Sequence, residues 1–252
     1  MYQLKYFIHI PIHDRMEEFY LLPRNRQRFE TYLEMLLGPD RADIVLPIAS
    51  FNPMGKDLVL SKIRELKQID AEGIIKTTLE EFNARVGKPT DTTVSVALNL
   101  VDDIGGAWSN RYTTDYASKF DFTGTFKRNF CLPYFWTSEI YTEEVIRRRC
   151  LEYIYCFVHW QKMGKPETLQ QHLQQEVYVQ RQLLQYSFNV QGTSADYIQE
   201  LAQVQAENTN YNFIFNFFYG DAACEVLNYP TNGISELAGF VYARSLASNG
   251  QV

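Results

Sequence analysis

The chain has 252 residues, of which 46% are apolar and 21% charged, with a formal net charge of −6. That length and balance exclude a disordered or low-complexity polymer and allow one large domain or two small ones. The acidic balance argues against a phosphate-backbone binder, because nucleic-acid affinity rests on clustered Lys and Arg. The 17 Tyr and 17 Phe form an aromatic excess whose ordinary use is core packing.

Taken in chain order, YQLKYFIHIPI at residues 2–12 alternates apolar and polar positions and predicts an opening strand, which Pro11 restricts to a sheet edge. The opening residues carry no basic region followed by an unbroken apolar run, so no signal peptide is read there. No segment approaches the roughly 18 consecutive apolar residues that a membrane span needs. A cytoplasmic protein with no membrane and no nucleic-acid partner is the expectation. Phe29, Leu33, Leu36 and Leu37 predict a helix over 24–37 that stops at Gly38-Pro39.

Ile44 to Ile48 reads as a short apolar strand, followed by a turn through Asn52-Pro53-Met54-Gly55. Helices are expected over 57–69 and 74–86. Val94, Val96, Leu98 and Leu100 then alternate strictly and predict the clearest strand, which ends in the turn-forming run Asp102-Asp103-Ile104-Gly105-Gly106. The aromatic and β-branched stretch from Ala107 to Trp136 predicts further strands and loops. From Ser138 onward the pattern is helical: one helix capped by Ser138 or Thr142 and running to about Met163, then helices over 168–186, 194–206 and 233–246. The expectation is one α+β domain over 1–252, with a mixed sheet in about 1–137 packed against a mainly helical part in about 138–252.

No complete chemical motif is present. His9 and His13 share a strand face about 13 Å apart, too far for one metal. FNPMGKD lacks both the upstream glycine and the Ser or Thr of a phosphate loop. Cys131, Cys150, Cys156 and Cys224 form no CxxC pair and read as buried apolar residues. The arginine clusters at Arg24, Arg26 and Arg28 and at Arg147, Arg148 and Arg149 read as solvated helix faces. Asp102 and Asp103 before a diglycine can ligate a cation or let a ligand approach the backbone, with Trp108 beside them, although a tight turn is their commoner use. In CLEYIYCFVHW, Glu152, Tyr155, Cys156 and His159 fall on one helical face and mix carboxylate, thiol and imidazole donors.

The order of elements in the second half resembles the zincin-type metallopeptidases. The segments that carry the resemblance are LEYIY at 151–155, TLQQHLQQEVYVQ at 168–180, the strand VSVALNL before DDIGGAW, and the closing YPTNGISELAGFVYARSLA. The resemblance implies a zincin-like fold with Glu152 at the general-base position and Glu176 at the third-ligand position. It also places Leu151 and Tyr155 where the zinc histidines would stand, and neither replaces imidazole as an ordinary ligand. What it implies is a scaffold with no metal or cofactor and no zinc-dependent hydrolysis, binding a peptide or small ligand in an aromatic cleft that includes Tyr155. Two other readings stay open. One is an enzyme using Glu152, His159 and Glu176 as acid–base groups or unusual metal ligands; the other is an assembly protein whose rings are buried against a partner or a second copy. Self-association is not legible.

Overall fold

The computed structural model describes residues 5–48, 50–86, 92–104, 109–187 and 195–250. They form two compact units, 1–118 with 122–154, and 119–121 with 155–252.

The first unit is organised by parallel strands. β1 (Tyr6–His9) leads through α1 (His13–Leu21), α2 (Arg26–Leu37), α3 (Asp57–Gln68) and α4 (Ala71–Val86) to β2 (Thr93–Val96) and β3 (Asn99–Val101). α5 (Arg111–Phe120) and α6 (Thr123–Lys127) then lead to β4 (Phe130–Cys131) and β5 (Tyr134–Trp136), and α7 (Glu143–Met163) follows. β2 lies between β1 and β4, β3 pairs with β5, and every described pairing is parallel. Ser95 faces Phe130 and Asn99 faces Tyr134 at the same sequence offset. Ala97 N donates to Cys131 O at 3.4 Å and Asn99 N to Pro133 O at 3.0 Å, so one ladder runs from β2 into β3.

Parallel neighbours need long crossovers, whereas a hairpin needs only a turn. This explains why much of the stretch expected to hold strands is helical: α5 and α6 supply the return path between β3 and β4. The α+β class holds, with strands in the first half and helices in the second. Val94, Val96, Leu98 and Leu100 are all fully buried. Their alternation therefore reports one face of a strand whose other face is also covered at Ala97, Asn99 and Val101.

Two local expectations are corrected. Residues 44–48 form no strand; the segment is irregular and is held by Val45 N donating to Leu36 O at 2.8 Å and by the Tyr32 hydroxyl donating to Ile48 O at 3.1 Å. Arg28 is not solvated but 2% exposed, donating to Leu22 O and Gly55 O and lying over the rings of Phe19 and Tyr20. α2 stops at Gly38 as expected, with a φ of 69°, and Gly164 follows α7 with a φ of 83°. Thr142 accepts from Val145 N at 3.3 Å and so serves as the α7 cap.

The second unit contains the end of α7 and α8 (Leu169–Gln182), α9 (Ala195–Val204), α10 (Tyr211–Leu227) and α11 (Ala238–Ser248). Thr168 and Gln171 form a reciprocal capping box at the start of α8. α10 was not anticipated, because it is apolar around its circumference and so has no amphipathic period to read. It kinks at Gly220, whose φ is 80° and where a side chain would come within 2.4 Å of Ser235 O. Beside the kink, the Asp221 carboxylate accepts from Asn216 Nδ2 and from the backbone N–H groups of Asn232 and Gly233, fixing the loop before α11. Phe120, Phe218 and Phe240 stack nearby with centroids 5.0 Å apart in the closest pairs. The aromatic excess is thus largely spent on core. Among the described residues no helix is long and apolar enough to cross a membrane.

Candidate functional site

β1 is an edge strand, and α4 runs beside its outer edge. Positions 72, 76, 79, 80 and 83 of α4 recur every three or four residues and therefore share one face. Along that face the helix covers the edge with side chains. Asn83 is 3% exposed, accepts from Phe7 N at 3.0 Å and donates back to Phe7 O at 2.7 Å. Glu72 accepts from Ile12 N at 2.7 Å and from His13 N at 3.2 Å. Between these two grips lies a groove of about 360 Å³, lined by β1 and Pro11 on one side and by Lys76, Leu79, Glu80 and Asn83 on the other. Its walls are mixed: Leu79 is buried, while Lys76 and Glu80 are exposed and carry opposite charges.

The two histidines at this corner do not lie on one strand face. His9 closes β1 and His13 opens α1, because the chain turns at Pro11. Burial, and then the Lys76 ammonium, lower the pKa of His9 to about 4. His13 is lowered to about 4 by burial, His9 and Lys67, against the opposing pull of Asp14. Both rings are therefore neutral at pH 7, and the 3.7 Å from His9 Nε2 to Glu72 Oε1 is too long for a hydrogen bond. Glu72 is raised by burial, an effect opposed by the two N–H groups it accepts.

Asp102 and Asp103 lie at the carboxyl ends of the parallel strands, where open parallel sheets usually present ligand sites. Asp103 accepts from Arg111 Nη1 and Thr137 Oγ1, both at 2.9 Å, and from Ser138 N at 3.0 Å. Burial pushes its carboxyl up, but the bonds from Ser138, Thr137 and Arg111 outweigh it and hold the group below its usual value. Arg111 also pairs with Glu139, which accepts from Arg149 at 2.6 Å and from the Tyr141 hydroxyl at 2.9 Å. For Glu139 too, burial is outweighed, by Arg149 and then Arg111 and Tyr141. Carboxylates and guanidiniums thus alternate through the network, and the acidic groups are held ionised by donors already in place. Trp108, expected beside them, lies outside the described residues, as do Gly105 and Gly106.

The remaining candidates sit on α7 and α8. Glu152, in the first unit, is 8% exposed. In the second unit His159 packs against Tyr178 with ring centroids 5.5 Å apart, and Tyr155 meets the same ring edge-on at 6.2 Å. His159 is lowered to about 4 by burial and by Lys162. Glu176 is fully buried and accepts from Gln180 Nε2 at 2.6 Å. Among the described residues no group of three or more His, Cys, Asp or Glu side chains is placed to hold a metal ion. All four cysteines are free and buried; burial raises Cys131 and Cys224, and raises Cys150 to about 12.

The groove was not found from the sequence. The alternation of β1 and the helical spacing of α4 were visible, but nothing local marks Asn83 as the partner of Phe7. Comparison of the chain with protein-family models, with curated proteins and with solved structures finds no match in any of the three.

Proposed function

We propose that this chain is a non-catalytic binding protein that takes a peptide segment or small molecule in the groove between β1 and α4. One observation about the whole chain carries the reading. His13, His159 and His172 are buried and His9 is half-buried, all four with their pKa lowered to about 4, and all four cysteines are buried thiols. Imidazole acid–base work near pH 7 needs a ring that titrates there, and thiol attack needs an accessible thiolate. The charged side chains at the strand ends are already matched to one another, which suits a rigid support better than a reacting centre. The zincin-type kinship belongs to the same proposal: Leu151 and Tyr155 leave the motif positions on α7 without imidazoles.

The test is a fragment screen by protein-observed NMR. Hits should shift backbone resonances of β1 and α4, and Tyr6→Ala or Lys76→Ala should weaken them while leaving the fold intact. Hits that map consistently elsewhere, or turnover of any peptide substrate by the purified protein, would overturn the reading.

A further inference from the structure

We infer that the groove recognises a single planar carboxamide carried on a small apolar body, and that it does not accept an added β-strand; this rests on the groove being the ligand site. Strand register decides which backbone groups of β1 face outward. Ile10 N donates to Val96 O at 2.8 Å, and His9 pairs opposite Val96, so residues 8 and 10 direct their backbone groups toward β2. Residues 7 and 9 must then direct theirs to the outer edge. At Phe7 that edge is occupied by the Asn83 side chain, which meets the N–H with its oxygen and the C=O with its nitrogen. A primary amide therefore already docks on this strand edge, held by one donor and one acceptor.

The equivalent position two residues on is His9. Among the described residues no group bonds its outward N–H and C=O. Just beyond, Glu72 takes the N–H groups of Ile12 and His13. The open stretch is thus one donor–acceptor pair long, closed by Asn83 at one end and Glu72 at the other. An extended peptide adds to an edge through successive pairs, two residues apart, and would collide with Asn83 at the next one. A lone amide meets no such obstacle. Beside it the groove offers Ile8, Pro11 and Leu79 for an apolar body. Lys76 and Glu80, one helical turn apart and of opposite sign, favour neither a net anion nor a net cation.

The probes are phenylacetamide and 3-methylbutanamide, each compared with its methyl ester, which keeps the carbonyl but lacks the N–H donor. They are titrated into the ¹⁵N-labelled 252-residue chain at millimolar concentration, followed by backbone amide shifts. The amides should shift the His9 N–H most strongly and bind at least about fivefold more tightly than the esters, the effect of one net hydrogen bond. Equal binding of amide and ester in the groove overturns the amide inference and leaves the groove standing as a ligand site. Absence of any shift in β1 or α4 overturns both. A six-residue extended peptide that displaces the Asn83 side-chain amide signals would show strand addition and refute the single-amide site.

Discussion

Lowering the pH from 7 to 5 should destabilise the protein mainly through its buried imidazoles, and His13 allows that cost to be isolated. Its ring is 1% exposed and its proton affinity is lowered from 6.5 to about 4 by burial, His9 and Lys67. The unfolded chain binds a proton near 6.5 and the folded chain near 4, so the penalty starts as pH falls below 6.5 and is complete below 4. At pH 5 the unfolded state gains about thirtyfold over the folded one from this single site, or about 2 kcal/mol. Glu72, raised by burial, works in the opposite direction as it protonates, but it is present in wild type and variant alike. His13→Phe keeps a ring in the core and removes the titration. Urea unfolding followed by tryptophan fluorescence at the two pH values should show wild type losing about 2 kcal/mol more than the variant. Equal losses in the two proteins would refute the claim that this ring is held neutral by its surroundings.

Three further outcomes follow from the geometry. Asn83→Ala removes the acceptor and donor that meet the Phe7 N–H and C=O at the edge, with a cost of about 1–3 kcal/mol; light scattering should also show concentration-dependent association through the strand edge. Arg244 donates to Leu183 O at 2.8 Å and to Leu184 O and Tyr186 O at 2.9 Å, tying down the end of α8. Arg244→Met should cost about 2–3 kcal/mol in denaturant unfolding, since its bonds are charge-assisted, and should raise amide exchange over 183–186. Gly220→Ala places a methyl group against Ser235 O at a positive φ; a loss of about 3 kcal/mol or more is expected in the same assay, and a neutral result would contradict the kink.

On the outer edge of β5, Tyr134 and Trp136 are met by side chains, as Phe7 is on β1. Arg149 donates to Tyr134 O at 3.2 Å, and the Tyr141 hydroxyl meets both the N–H and the C=O of Trp136. In the sequence Arg149 belonged to a basic cluster that suggested solvent; its place at the edge depends on the fold bringing α7 to β5. Side chains that occupy edge positions in this way, at Phe7 on β1 and at Tyr134 and Trp136 on β5, hinder open-ended strand pairing.

By itself the sequence determined the features whose physics spans one or two turns. The Asn52 turn, the stops at Gly38 and Gly164 and the alternation from Val94 to Leu100 each arise from neighbours along the chain. Tertiary structure decided the rest. α10 had no polar face to reveal it, and Ile44 to Ile48 had strand-like composition but are irregular. Phe7 meets Asn83 across 76 positions and Ile12 meets Glu72 across 60. Contacts at such separations leave no periodic trace, because the groups that satisfy an edge strand are set by which helix the fold lays beside it.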